Sequence, residues 1–306
     1  MKILVTGGAG FIASNAADAF IAQGHDVVIV DNLSSGKMEN VNPKAKFYKM
    51  DIRDPETETI FRDEKIEVMC HHAAQMDVRK SVADPKFDAS VNALGFLNLM
   101  EFGRQYGLKK VLFASTGGAI YGEQDYFPAD ENHPMRPLSP YGITKLVTEK
   151  YLFFYKETYG IDHVILRYAN IYGPRQSPHG EAGVVAIFTS KMLKGEQPVI
   201  NGEGKQTRDY VFVGDVVKAN LLALNYSGSN IFNIGTGIET DVNQLFHHLR
   251  KHTGSACEEI HAPAKAGEQM RSVISSKKIH EMLGWTPMVT LEDGLKTTVE
   301  FFKSKK

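Results

Sequence analysis

The chain has 306 residues, 42% hydrophobic and 23% charged, with a formal net charge of −1. That length holds one large core or two, the mixture is that of an ordinary globular protein, and the balanced charge offers no electrostatic capture of nucleic acid or anionic membrane. The two cysteines, Cys70 and Cys257, sit in no Cys/His cluster, so they suggest no cysteine-based zinc site or disulfide framework, and their low number is compatible with a reducing cytoplasm.

Ile3-Leu4-Val5 reads as a short apolar strand running into Thr6-Gly7-Gly8-Ala9-Gly10-Phe11-Ile12-Ala13. The glycines break any helical apolar region, so this start is not expected to be a secretory leader. A helix is expected over 11–23, then a strand over 26–31 ending in Asp31. Glycines at a strand-to-helix turn, with an acid at the tip of the next strand, form the pattern of a dinucleotide site. The glycines let backbone approach a pyrophosphate, and the helix N-terminus supplies free N–H groups and partial positive charge. Asp31 suits two ribose hydroxyls and would repel a 2′-phosphate, which points to NAD rather than NADP.

Strands are expected at 46–51, 66–72, 110–115 and 162–167, with helices over 84–106 and 140–159. Strands alternating with helices predict a parallel sheet covered on both faces, binding ligands at the carboxyl ends of its strands. Gly10, Asp31, Asp51, Ala73, Ser115 and Tyr168 all fall at those ends. Beyond about 170 the regularity fades into helices near 184–194, 214–225, 241–253, 276–283 and 291–303, with short strands near 198–200, 209–213 and 231–234. The fold class is therefore α/β: a Rossmann doubly wound parallel sheet over 1–170, joined by some later segments, and a smaller mixed α/β substrate-binding part over 171–306.

In Ser139-Pro140-Tyr141-Gly142-Ile143-Thr144-Lys145, Pro140 suits the first turn of a helix. Tyr141 and Lys145, at i and i+4, then share a face. A lysine beside a phenol favours phenolate, and a tyrosine tuned in this way can exchange a proton with a substrate hydroxyl near neutral pH. The histidines 71–72 and 247–248 and Trp285 read as packing or surface residues.

Taken in order, these motifs resemble the extended short-chain dehydrogenase/reductase family, and within it the NAD-dependent nucleotide-sugar epimerases. The resemblance covers nearly the whole chain. It rests on T-G-G-A-G-F-I-A at 6–13, D-N-L at 31–33, D-I-R-D at 51–54, H-H-A-A-Q at 71–75 and V-N-A-L-G at 91–95. S-T-G-G-A-I-Y-G follows at 115–122 and S-P-Y-G-I-T-K at 139–145, then L-R-Y-A-N-I-Y-G-P-R at 166–175, R-D-Y-V-F-V-G-D-V at 208–216 and F-N-I-G-T-G at 232–237.

The resemblance implies roles. Tyr141 would be the general base and Lys145 its partner at the nicotinamide ribose. Thr116, assisted by Ser115, would bind the sugar hydroxyl being oxidised. Gly7, Gly10, Phe11 and Ile12 would meet the pyrophosphate, Asp31 and Asn32 the ribose, and Asp51 and Ile52 the adenine. Ala73 and Ala74 would back the pyrophosphate and ribose, with Asn92 and Tyr168 on the nicotinamide side. Asn170, Arg208, Lys265, Arg271 and Ser272 would face the substrate. For Arg208 an ion pair to Asp209 or Asp215 is the structural alternative. Many relatives carry the active hydroxyl at the position of Gly117; here Gly117-Gly118 could bend to bring Thr116 into place. No metal is implied.

The implied reaction is C4 epimerisation of a nucleotide sugar through a 4-keto intermediate, UDP-glucose/UDP-galactose first, with UDP-glucuronate as a close variant. Dehydratases and decarboxylases of the family carry carboxylates after the Thr, where this chain has Gly117-Gly118. A non-catalytic NAD-binding sensor or scaffold would be expected to lack the Tyr, the Lys or the hydroxyl. Ser272 stands where some relatives exclude N-acetyl groups with a Tyr, so an N-acetylhexosamine is expected to be tolerated. In relatives the helices over 84–106 and 140–159 pair across a dimer, which predicts a homodimer.

Overall fold

The computed structural model describes residues 1–178, 183–264 and 269–305. Two compact units divide the chain. One comprises Met1–Ile120, Pro137–Arg167 and Val217–Phe232, the other Tyr121–Arg136, Tyr168–Val216 and Asn233–Lys306.

The first unit opens with β1 (Lys2–Thr6), α1 (Phe11–Ala22), β2 (Asp26–Val30) and β3 (Lys46–Tyr48), then α2 (Glu58–Glu64) and β4 (Val68–His71). Next come α3 (Val78–Ala83), α4 (Pro85–Ala89), a π-helical stretch Ser90–Leu94 and α5 (Gly95–Gln105). β5 (Lys110–Thr116), α6 (Pro140–Tyr159) and β6 (Asp162–Tyr168) complete the alternation. The single helix expected over 84–106 is thus interrupted by a π-helical stretch, of the kind often found at functional sites.

After β7 (Asn170–Tyr172), α7 (Val184–Lys194), β8 (Ile200–Asn201) and β9 (Thr207–Phe212), α8 (Val213–Asn225) leads to β10 (Asn230–Ile234). The seven-stranded sheet runs β10-β6-β5-β4-β1-β2-β3. β1 pairs in parallel with β2 and β4, β2 with β3, and β4 with β5. Strand order reverses between β1 and β4, and such a switch point is where open α/β sheets bind ligands. Leu4, Val28, Met69, Val111 and Ile165 from the strands and Phe96, Leu99 and Leu152 from the helices form its core. Every residue of β1 after Lys2 is buried, as a strand covered on both faces requires.

The second unit adds β11 (Glu239–Asp241), α9 (Val242–Thr253), β12 (His261–Ala262), β13 (Arg271–Ser272), α10 (Lys277–Leu283) and α11 (Leu291–Ser304). β9 is its hub, pairing antiparallel with β11 and parallel with β13 and β7. Phe188, Phe246, Leu249, Leu295 and Val299 pack its core. No described helix is long and apolar enough to cross a membrane.

Candidate active site

The glycine-rich turn follows β1 because the close approach there admits nothing larger. Gly7 has φ +67°, and a Cβ on it would lie 2.8 Å from Ala73 N and 2.9 Å from Ala73 Cα. Thr6 pins the same junction. Its Oγ1 accepts from His72 N and Ala73 N, each at 3.1 Å, so its proton goes to His71 Nδ1 at 2.9 Å. Burial, with Lys145 nearby, holds His71 well below its usual range and His72 down to about 3. Both histidines are neutral packing residues.

Gly10 caps α1 without any side-chain bond, and the first turn, with Phe11 and Ile12, carries no acid. Its orphan N–H groups and positive helix end suit an anion. Asp31, buried at the end of β2, accepts from Ala9 N at 3.0 Å and Leu33 N at 2.7 Å. Asn32 Nδ2 donates to Asp51 Oδ2 at 2.8 Å. Arg53 takes up Asp51 from Nε at 2.8 Å and Nη2 at 2.9 Å and holds its carboxyl down at about 2. Ile52 is buried beneath α5, where a Cβ on Gly95 would meet its Cδ1 at 2.8 Å. Ala73 and Ala74 lie partly exposed just past β4.

Tyr141 and Lys145 stand one turn apart on α6, whose start is fixed by Pro140 and by Ser139, the N-cap that accepts from Gly142 N at 3.2 Å. Lys145 is buried. Its Nζ donates to Ala114 O at 2.8 Å and lies 5.8 Å from the centroid of the Tyr141 ring. Thr116, at the end of β5, accepts from Ala119 N at 3.2 Å. Ala119 O in turn lies where a Cβ on Gly142 would come within 2.8 Å. The bend after Thr116 is therefore folded against the first turn of α6, tying the hydroxyl to the tyrosine's helix.

The lowered tyrosine pKa expected from the spacing is not what this geometry gives. Burial pushes the Tyr141 phenol up, and the Asp88 carboxylate adds to the shift. Lys145 is itself lowered by burial to about 8, against the upward pull of Asp88 and Glu149. Spacing supplied the lysine but neither the desolvation nor the carboxylates.

Those carboxylates belong to two buried polar groups absent from the sequence reading. Asp88 is fully buried. It accepts from Gln75 Nε2 at 3.0 Å, Asn92 Nδ2 at 3.1 Å and Thr144 Oγ1 at 2.8 Å. Asn92 sits in the π-helical stretch and holds the Gln75 backbone from both sides, N to Oδ1 at 2.8 Å and Nδ2 to O at 2.9 Å. Glu149 receives Ser115 Oγ at 2.6 Å, Arg167 Nε at 3.0 Å and Arg167 Nη2 at 2.7 Å, all buried. Ser115 therefore turns its hydroxyl toward α6 and away from the role of a free donor. A signal existed for Glu149, which follows Tyr141 and Lys145 at i+8 on one helix face.

In the second unit β9 gathers the residues expected to face substrate. Asn170 pairs across from Tyr210, Arg271 from Thr207, and Ser272 from Arg208. Arg208 Nη1 donates to Thr207 O at 2.8 Å. Its alternative partners are otherwise engaged: Asp209 by Thr236 N at 2.8 Å, and Asp215 by Met288 N at 3.0 Å and Val289 N at 3.1 Å. Arg271 is bidentate to Glu239, at 2.6 and 3.1 Å, and stacks 3.7 Å over the Phe127 ring. Ser272 and Tyr168 are buried. Lys265 lies outside the described residues.

A β1–α1–β2 unit with a side-chain-free helix cap and a buried acid at the tip of β2 defines a dinucleotide-binding enzyme, and the Gly7–Ala73 approach and uncapped start of α1 fit NAD. The chain belongs to the NAD-dependent epimerase/dehydratase family, whose model matches residues 3–235. It is 44% identical over 311 residues to the UDP-glucose 4-epimerase of Mycolicibacterium smegmatis, covering 100% of this chain and 99% of that one. Among solved structures, a Thermotoga maritima UDP-glucose 4-epimerase with UDP-glucose is 52% identical, with TM-score 0.98 over 100% of this chain and 99% of that one. A Thermus thermophilus UDP-glucose 4-epimerase complexed with NAD is 45% identical, with TM-score 0.95 over 100% of both chains.

Proposed function

We propose that this chain is a UDP-glucose 4-epimerase, interconverting UDP-glucose and UDP-galactose through a 4-keto sugar. The observation that carries the reading is the fixed set of Thr116, Tyr141 and Lys145, joined through Ala114 and Ala119 to one strand end and one helix start. The activity named for relatives at 44% and 52% identity supports it.

NAD⁺, when bound, supplies the hydride acceptor. Tyr141 Oη takes the proton of the sugar 4-hydroxyl and later returns it to the same oxygen. Thr116 Oγ1 hydrogen-bonds that oxygen in both directions. Lys145 favours the phenolate through its positive charge, which burial alone would suppress. Asn170 and Arg208 are assigned to the nucleotide diphosphate, Arg208 by its planar fork of donors. Gly117-Gly118 provides no carboxylate for eliminating water or carbon dioxide, which favours a proton removed and restored at one oxygen over the dehydratase reading.

Purified protein incubated with UDP-, GDP- and dTDP-sugars and followed by NMR should produce the 4-epimer of UDP-glucose. UDP-N-acetylglucosamine should also turn over, because Ser272 is small. Tyr141→Phe should lower kcat by a factor of roughly 10² or more, and near-normal turnover would overturn the assignment.

We also infer a cytoplasmic homodimer. Val82, Phe87, Leu94, Ile143, Phe153 and Phe154 are exposed along α3, α4, the π-helical stretch and α6, a density of apolar side chains that suits an isologous interface. A monomer by light scattering at micromolar concentration would count against it.

A further inference from the structure

We propose that His248, His252 and Glu292 form a binding site for a divalent transition cation, Zn²⁺ foremost, that clamps α9 to the first turn of α11. Nothing in the proposed epimerase reaction uses these residues, and all three lie in the second unit.

The site follows from how the two helices pack. α9 is started by a capping box between Asp241 and Gln244 and turns Leu245, Phe246 and Leu249 inward. α11 turns Leu295 and Val299 into the same core. His248 and His252 stand one turn apart on α9, at the margin of that contact. Glu292 lies in the first turn of α11, whose N-cap Thr290 accepts from Asp293 N at 3.2 Å. Backbone elements on both sides are therefore fixed, and only side-chain torsions are free.

One donor atom from each of the three residues converges, all within 4.8 Å of one another. His248 Nδ1 lies 2.6 Å from Glu292 Oε2. His252 Nε2 lies 3.2 Å from Glu292 Oε1 but makes no hydrogen bond, although it is buried. A buried ring nitrogen without a hydrogen-bond partner is costly, and this one lies beside a carboxylate oxygen without being aligned to it. A cation between them would satisfy both. Tetrahedral zinc with bonds of roughly 2.0–2.2 Å places neighbouring donors about 3.3 Å apart, so the present spacing needs only small adjustments.

The donor set decides the metal class. Two imidazole nitrogens and one carboxylate suit Zn²⁺, Co²⁺, Ni²⁺ or Cu²⁺, whereas Mg²⁺ and Ca²⁺ take oxygen ligands. Lys251 competes, its Nζ 2.7 Å from Glu292 Oε1, but its side chain is 71% exposed and can swing into water. A second group, His247 and His261 on Glu259, is not gathered in this way among the described residues. Both ring nitrogens of His261 are already engaged, Nε2 by Glu259 Oε1 at 2.8 Å and Nδ1 by Gly202 O at 2.7 Å.

The test uses full-length, tag-free protein stripped with chelator and titrated calorimetrically with ZnCl₂. About one equivalent should bind, and His252→Asn and Glu292→Gln should each weaken binding more than about tenfold. His247→Asn should bind as the parent does, and MgCl₂ should give no saturable binding. Added Co²⁺ should give a visible absorption band in the parent and not in the two ligand variants, with far-UV circular dichroism checking that each is folded. Absence of saturable Zn²⁺ binding, or unchanged binding in folded His252→Asn and Glu292→Gln, overturns the site.

Discussion

Glu149 and Arg167 offer a test of how α6 is held to β5 and β6. Their side chains are 3% and 1% exposed, and the guanidinium grips the carboxylate through two nitrogens while Ser115 donates to the same oxygen as Arg167 Nε. Glu149→Ala leaves a buried guanidinium unpaired and a serine hydroxyl without its acceptor. Removing one partner of a buried pair costs about 3–5 kcal/mol, because the remaining charge is stranded away from water. Replacing both partners by apolar side chains of similar volume is often nearly neutral. Glu149→Leu with Arg167→Met should therefore be less destabilised than Glu149→Ala, despite removing more polar contacts. The cycle is measured by urea unfolding at pH 7, followed by circular dichroism, on the parent, Glu149→Leu, Arg167→Met and the double variant, with Glu149→Ala beside them. A loss below about 1 kcal/mol for Glu149→Ala, the size of an ordinary exposed pair, would refute the reasoning. So would a double variant whose loss equals the sum of the singles.

Two further outcomes test the cofactor and acid–base sides. Gly7→Ala puts a methyl 2.8 Å from Ala73 N at a φ of +67°, with a left-handed backbone cost of about 1–2 kcal/mol before any clash. NAD affinity by calorimetry should fall more than about tenfold, and unchanged affinity would show that the tip of β4 can move aside. Lys145, lowered to about 8, carries its charge below that pH and loses it as pH rises. If Tyr141 works through that charge, kcat/KM, which reports the free protein's groups, should decline on the alkaline side with a midpoint near pH 8, and Lys145→Arg, always charged, should remove that limb at a reduced maximum. A wild-type kcat/KM that stays flat to about pH 9.5 would argue against Lys145 as the group that tunes Tyr141.

The sequence made the first unit legible where local rules act alone. Gly7 and Gly10 between an apolar strand and a helix, with Asp31 at the next strand tip, need no tertiary information. α6 spans the expected 140–159 because its stops are local: Ser139 and Pro140 at one end and a left-handed Gly160 at the other. The helix expected over 84–106 failed in its interior. Apolar spacing continues through Val91 and Leu94, but Asn92 is drawn to the Gln75 backbone, and that pull resides in a loop far away in sequence. β7, β11 and β13 have two or three residues each and no alternation to read, since they are strands only by pairing with β9.

The polar face of α6 eluded the sequence for a deeper reason. Thr144, Lys145, Thr148 and Glu149 would by composition face water, yet all are buried, because Asp88, Ser115 and Arg167 arrive from other elements to satisfy them. This changes what the Tyr141–Lys145 pair means. Spacing predicts only attraction between an ammonium and a phenolate. In the folded protein, burial lowers the lysine and raises the tyrosine, so desolvation opposes both charged forms. Asp88 then acts with opposite consequences: it helps Lys145 keep its proton and hinders Tyr141 from losing one. Glu149 supports only the lysine. The two carboxylates thus keep Lys145 charged below about pH 8 in a site whose dryness would otherwise discharge it, and phenolate formation depends on positive charge arriving beside Tyr141. A protein with Tyr141 and Lys145 at the same spacing but without Asp88 and Glu149 would have the motif without the carboxylates that help the buried lysine keep its charge.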